Sequence, residues 1–264
     1  MRGNKSGRLM MSKVELVDLS HKFGHNCPLW PYFEDVKIER MHYHAKSGVL
    51  SQKITTVMHC TTHADSPAHV LEGLPYTDEV PLDKYYGTGV VVDIPKNKWE
   101  VITPEDLEKA RPKIEPDDIV IIHTGWHHYW SDSRQYFAYS PGLYKEGAEW
   151  LVAKGVKCVG VDQQALDHPL ATAIGPHGPG GPLIPEVNKE YEQLTGRKVI
   201  EDFPLWEPSH KILLKNGVMG YENVGGDLDK VVGMRVTLAG FPIRWEKGDG
   251  SIVRLVAIVD KGDQ

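Results

Sequence analysis

The residues best suited to chemistry lie between positions 59 and 69, His59-Cys60-Thr61-Thr62-His63-Ala64-Asp65-Ser66-Pro67-Ala68-His69. Four side chains able to ligate a metal, His59, His63, Asp65 and His69, fall within these eleven residues. Any one histidine alone reads as a surface residue or a satisfied core residue. The set with Asp65 reads as a site, because burying that many ionisable groups unpaired is costly and a metal ion offsets the cost. Geometry restricts how they share an ion. Residues four apart in an extended chain are separated by about 13 Å, whereas ligand atoms sit ~2.0–2.2 Å from the metal. The chain must therefore turn between His59 and His63, and Pro67 should end the segment. Imidazole and carboxylate without thiolate suit Zn2+ first and Mn2+ or Fe2+ next. Three protein ligands leave room for a water, which such an ion acidifies to a pKa of about 7 while polarising a carbonyl. That is hydrolytic chemistry without a serine or cysteine nucleophile.

The elements that must carry these residues read as a mixed α/β chain. Val49–Met58 is predicted to be a strand that delivers the ligands at its end, where sites often sit. Short runs rich in Val and Ile read as buried strands: Gly89–Ile94, Ile119–His123, Val156–Asp162, Met234–Ala239 and Ile252–Val259. Thr103-Pro104-Glu105-Asp106 reads as a helix start, with an N-cap hydroxyl, proline at the first helical position and acids in the first turn. Gly142–Lys154 is predicted to be a helix with Leu143, Gly147, Trp150 and Leu151 on one face, stopping at Gly155. Gly175–Pro185 mixes glycines with prolines that lack donors, which predicts a long surface or lid loop with His177 solvated.

Composition narrows the partners. The 264 residues carry 30 Lys+Arg against 36 Asp+Glu, a net charge of −6, and 13 are histidine. A mildly acidic chain has no electrostatic footprint for nucleic acid, and 41% hydrophobic content is too high for disorder. No repeat or low-complexity tract divides it, so residues 12–264 read as one domain after a disordered leader or cloning remnant at 1–11. No stretch approaches ~20 apolar residues, so no membrane span is expected. Cys27, Cys60 and Cys158 are an odd number without a C-x-x-C pair. Neither a disulfide framework nor a thiolate knuckle is expected, and a reducing cytoplasm is.

The segment resembles the signature H-x-G-T-H-x-D-x-P-x-H of the cyclase-type metal-dependent hydrolases, a family that includes bacterial kynurenine formamidase, isatin hydrolase and cyclic imide hydrolase. All four ligand positions match, as do Thr62 and Pro67, while Thr61 stands where the signature has glycine. The likeness extends along most of the chain. Asp18-Leu19-Ser20-His21 with Pro28 and Trp30-Pro31 resembles the family's opening, and Ile122-His123-Thr124-Gly125-Trp126 its R-T-G-W turn, with His123 for arginine. Gly160-Val161-Asp162 with Asp167 resembles its G-x-D-x-x-S-x-D stretch, with Ala165 for serine. His210, Glu222, Gly250-Ser251 and Arg254 match its closing segments.

The resemblance implies a swivelling β/β/α single domain and a homodimer or homotetramer. It implies that His59, His63 and Asp65 bind a first ion, and that Asp65 bridges to a second held by His210 and Glu222, so one or two ions per chain. His69 is the implied general acid/base, its near-neutral pKa suiting proton delivery to a departing nitrogen. The expected reaction is hydrolysis of a C–N bond in a small amide, either an arylformamide or a cyclic amide or imide such as isatin. Trp30, Phe33 and Trp126, with His127 and His128 close by, could wall an apolar pocket for a flat small-molecule substrate. Two other readings stay open: a metal-free hydrolase with Cys60 as nucleophile between His59 and His63, and a non-catalytic binding protein with a structural ion.

Overall fold

The apolar runs become the middle of a sheet because strands covered on both faces need side chains that avoid water on both. The computed structural model describes residues 13–131 and 133–262, so the expected leader at 1–11 lies outside the described residues. In chain order the first strands are β1 Val14–Asp18, β2 Lys37–His42, β3 Ser51–Thr55, β4 His63–Asp65, β5 Tyr86–Asp93, β6 Val101–Ile102 and β7 Ile119–His123. β8 Gly142–Leu143, β9 Cys158–Val161, β10 Met219–Glu222, β11 Arg235–Ala239, β12 Gly250–Ile252 and β13 Val256–Asp260 follow. One mixed sheet runs in the order β1-β13-β11-β5-β7-β9-β10-β4-β12. β5, β7, β9 and β10 are parallel neighbours, and the flanking pairs are antiparallel.

Alternation along the strands divides two cores. Val91, Ile119, Ile121 and Cys158 point to one side, where the sheet curls and packs Val17, Leu238 and Ala257 against them. Val90, Val92, Val120, Ile122, Val159 and Val161 point to the other, under Leu107, Ala148, Leu151 and Leu213 of three helices, Pro104–Lys109, Lys145–Lys154 and Pro208–Lys215. Each such buried aliphatic side chain contributes about 1.5–3 kcal/mol relative to exposure. The chain is thus a mixed α/β domain, as its sequence indicates. Thr103 caps the first of those helices in a reciprocal box with Asp106. Among the described residues no helix is long and apolar enough to cross a membrane.

Four details differ from expectation. Ile252–Val259 is not one strand: β12 pairs with β4 and β13 with β1 and β11, and the chain breaks between them to change partners. Gly142 and Leu143 belong to β8, paired with β6, so the helix begins only at Lys145. Val49–Met58 narrows to β3, half of an exposed hairpin with β2 that stops short of His59. The stretch 175–185 carries no regular structure until its last residue, but His177 is buried and its Nε2 donates to the Phe203 carbonyl at 2.6 Å. A buried imidazole with a backbone acceptor is a packing residue rather than a solvated one.

Candidate metal centre

β4 is three residues long and fully buried, and its pleat decides the site. His63 and Asp65 project from one face while Ala64 fills the core on the other. Register places Glu222 of β10 opposite His63 and Gly220 opposite Asp65. His63 Nε2 accordingly lies 3.3 Å from Glu222 Oε2 and 3.4 Å from Asp65 Oδ1. On the other side Gly250 of β12 faces Asp65, and a Cβ there would meet the His59 ring at 2.6 Å. Glycine at that position gives His59 its room, and His59 Nδ1 reaches Asp65 Oδ1 at 2.9 Å.

The turn required between His59 and His63 is present, and Thr61 makes it with φ 54°, in the left-handed region. A β-branched residue there costs of order 1–3 kcal/mol, which accounts for glycine at that place in the signature the segment resembles. The Thr61 carbonyl accepts from His63 Nδ1 at 2.8 Å, so the proton sits on Nδ1 and Nε2 faces the carboxylates. Pro67 does not end the segment: it opens a 3-10 turn, Pro67–His69, that folds His69 back until its ring stacks on His59 at 3.9 Å.

His210 arrives from the first turn of the helix Pro208–Lys215. Asp167 fixes it, accepting from the amides of Ser209 and His210 at 2.7 and 3.0 Å and from His210 Nδ1 at 2.7 Å. His210 Nε2 then stands 2.9 Å from Glu222 Oε1 and 3.4 Å from Asp65 Oδ2. The Leu166 amide donates to Glu222 Oε1 at 2.6 Å. Two donor sets result, His59/His63/Asp65 and Asp65/His210/Glu222, sharing Asp65.

Their electrostatics call for a cation. Burial works to raise Asp65, yet His210, His59 and His63 around it hold its carboxyl well below the usual range. Burial also opposes charge on His59, but Asp249 and Asp65 beside it lift it to about 10, and His210 is likewise driven well up by Glu222, Asp167 and Asp65. The metal-free centre thus gathers protons where an ion would sit. His63 Nε2 and both oxygens of Asp65 are buried without an aligned hydrogen bond, an arrangement that is rare unless something else satisfies them. The separations of 3.3–3.4 Å match the edge of about 3.3 Å between ligands of a tetrahedral ion with ~2.0–2.1 Å bonds. The residues fit one ion or two.

Above the donors opens a cleft of about 530 Å³ including its mouth, walled by Trp30, Tyr32 and Phe33 with Gln164, Thr172 and Glu207, and floored by the histidines. Trp30 and Phe33 are where the sequence suggested. Trp126 is not: it is 5% exposed, donates through Nε1 to the Tyr136 carbonyl and belongs to the aromatic core. His123, His127 and His128 also lie away from the cleft lining, clustered around Asp229. Cys60 is buried with its thiol 3.3 Å from that of Cys27. That contact and burial push the Cys60 thiol up, which removes the thiolate a nucleophile needs. Burial lowers His69 to about 4, so it is neutral at pH 7 rather than poised near it.

Asp249 is the clearest omission from the sequence reading. Its carboxylate lies 3.1 Å from His59 Nε2 across 190 residues of chain, and nothing local announces it. Asp167 stood only as part of a motif, and its hold on His210 emerges from the fold.

A family profile described as "Putative cyclase" matches residues 17–168. Isatin hydrolase of Roseibium aggregatum is 23% identical over 285 residues, covering 96% of this chain and 95% of that protein. Kynurenine formamidase of Bacillus cereus is 24% identical over 247 residues, covering 93% and 98%. Among solved structures, an isatin hydrolase bound to the product analogue thioisatinate superposes with a TM-score of 0.75 at 22% identity, over 94% of this chain and 93% of that one. A protein from Bacillus stearothermophilus described as a predicted metal-dependent hydrolase gives 0.66 at 19% identity, over 94% and 99%.

Proposed function

The chain belongs to the cyclase family of that profile, and from that premise we propose that it is a metal-dependent hydrolase cleaving a C–N bond in a small amide. The substrate is an arylformamide or a cyclic amide or imide whose ring opens. The observation that carries this reading is the buried Asp65, shared by two donor sets and without an aligned hydrogen bond to either oxygen, at the floor of an aromatic-walled cleft. His59, His63 and Asp65 hold one ion, Zn2+ first and Mn2+ next, and Asp65, His210 and Glu222 hold a second where two are bound. When bound, such an ion polarises a carbonyl and makes a water nucleophilic at neutral pH.

The chain's own residues supply the rest. Trp30 and Phe33 offer flat apolar faces against an aromatic or cyclic amide. His69, neutral because it is buried, takes the proton from the attacking water and returns it to the departing nitrogen. Water thereby adds across the C–N bond, with its oxygen on carbon and its proton on nitrogen. The open cleft over the donors favours this reading over a closed structural ion, and the orientation of Cys60 favours it over a thiol nucleophile.

The chain works as a homodimer or homotetramer. Support comes from the β2–β3 hairpin and its connection, which leave Met41, Tyr43, Val49, Leu50 and Ile54 exposed. Three free thiols are in keeping with a reducing cytoplasm. Chelation followed by reconstitution with Zn2+ or Mn2+, assayed on formamides, isatins and cyclic imides, tests the activity. Turnover that returns with metal is expected, and turnover that survives complete metal removal would refute it. Light scattering of purified protein tests the oligomer, and a monomer at all concentrations would refute that part.

A further inference from the structure

Three imidazoles converge on one carboxylate at the end of β7, outside the cleft. His123 Nε2 and His127 Nε2 lie 3.5 and 3.4 Å from Asp229 Oδ1, and His128 Nε2 lies 2.9 Å from Asp229 Oδ2. His123 closes β7, His127 and His128 sit on the 3-10 turn Trp126–Tyr129, and Asp229 is carried by another such turn, Leu228–Lys230. We propose that His123, His127, His128 and Asp229 form a separate divalent-cation site, built for zinc, that fastens the turn after β7 to the turn bearing Asp229.

Water-screened ion pairing does not account for this arrangement. His127 is only 6% exposed, and His127 Nε2 and His123 Nε2 are both buried with no hydrogen-bond partner, aimed at the same oxygen. An imidazole buried merely for packing would be expected to pair both nitrogens. Here each has its other nitrogen paired. His123 Nδ1 meets Asp93 Oδ1 at 2.7 Å, and His127 Nδ1 meets Asp162 Oδ2 at 3.1 Å. Carboxylate at Nδ1 with Nε2 left open is how metal-binding histidines are oriented, since it fixes the tautomer and raises the basicity of the free nitrogen.

Asp162 is the orienting group and not a ligand, because its oxygens are already engaged. Thr124 Oγ1 donates to it at 2.6 Å, and the amides of Thr124, Gly125 and Trp126 at 3.1, 2.9 and 3.1 Å. Those bonds require the chain to curl tightly around the carboxylate, and Gly125 permits it with φ 85°. The turn that presents His127 is therefore rigid before any ion arrives. The 3.4–3.5 Å separations again match a tetrahedral edge of about 3.3 Å. The ligand atoms of His127, His128 and Asp229 lie within 4.8 Å of one another, and His123 Nε2 stands 3.5 Å from Asp229 Oδ1 as the fourth donor, so the protein alone offers three imidazoles and a carboxylate, the donor set of a structural ion rather than a catalytic one. The site shares no residue with the Asp65 centre, so it stands whether or not that centre is catalytic.

The test counts zinc. Chelator-stripped protein is titrated with Zn2+ in competition with a chromophoric chelator, for the wild type, Asp229→Asn, His123→Ala/His127→Ala and His63→Ala. Asp229→Asn and the double variant should each lose one equivalent, or bind it about 100-fold more weakly or worse. His63→Ala should lose zinc at the Asp65 centre and keep the equivalent that Asp229→Asn removes. Co2+ should give visible bands of tetrahedral intensity in His63→Ala that vanish when Asp229→Asn is added. Asp229 is exposed, so its substitution should leave the fold intact by circular dichroism even where the double variant unfolds. Equal zinc stoichiometry and affinity in the wild type and Asp229→Asn would overturn the proposal. So would a cobalt spectrum unchanged by that substitution.

Discussion

Asp65 and Asp229 are each ringed by three imidazoles at nearly the same distances, 2.9, 3.4 and 3.4 Å at one and 3.5, 3.4 and 2.9 Å at the other. Their surroundings separate them. Asp65 is fully buried on β4, between β10 and the edge strand β12, with a second carboxylate, Glu222, beside it and a cleft above. Asp229 has 61% of its side chain in water on a surface turn. In the low-dielectric interior each charge interacts several times more strongly than at the surface. The buried set therefore draws protons onto His59 and His210 when no ion is present, whereas the outer carboxylate keeps most of its side chain in water. The same ligand chemistry suits a reacting site in one place and a clasp in the other.

Asp65→Asn should have the largest effect. It removes the oxygen shared by both donor sets, so metal content and turnover should fall to background. In the metal-free chain it strands the buried charge of His59 and His210, and chemical denaturation should show a loss of about 3–5 kcal/mol. A metal-free variant as stable as the wild type would mean that the two centres differ less in polarity than their burial implies. His69→Ala comes next. Metal should stay, because His69 belongs to neither of the donor sets built on Asp65, and kcat should drop about 10²–10⁴-fold. Loss of metal in that variant would make His69 a ligand and take the proton carrier away.

How much of this was legible in the sequence follows from how local each contact is. His59, His63, Asp65 and His69 announce themselves because their spacing spans one turn and one short strand. His210 and Glu222 enter through resemblance, since Glu222 is brought near only by the pairing of β10 with β4 and His210 only by the helix that Asp167 holds. Asp249 and Asp229 were invisible: their contacts with His59 and His128 span 190 and 101 residues. The central strands were legible as apolar runs, because both faces are covered. Ile252–Val259 was misread because a change of partner leaves no mark on hydrophobicity. Trp126 was misjudged for a related reason, as an aromatic residue reads alike whether it walls a cleft or packs beneath one.

A smaller and more diagnostic effect is the pH profile of stability. In the metal-free chain burial holds His21, His69 and His168 at about 4, below the ordinary value near 6.5. Their contribution is present above pH ~6.5 and is lost as pH falls toward 4. His59 is opposite, raised to about 10, so its contribution is present below pH ~6.5 and is lost as pH rises through 10. Stability of the stripped protein should therefore peak near pH 6.5. Zinc displaces the protons at the Asp65 centre, so the metal-loaded protein should hold its Tm on the alkaline side and the gap between the two curves should widen from pH 6.5 to 9.5. A constant gap would mean that metal binding releases no proton there.

Asp229→Asn in the stripped protein should have the smallest effect. The carboxylate end of its ion pairs is water-exposed, a setting in which pairs contribute about 1 kcal/mol or less. Denaturation without metal should move by no more than that, against the several kcal/mol expected for Asp65→Asn. With saturating zinc the difference should grow, because an ion held only by the folded state adds stability as RT ln(1 + [L]/Kd), about 2.7 kcal/mol at a hundredfold excess over Kd. The outer cluster thus differs from the inner one in where its stability resides: in the ion itself, with almost none in the bare side chains. A large loss in the absence of metal would reverse that assignment and make Asp229 a structural anion in its own right.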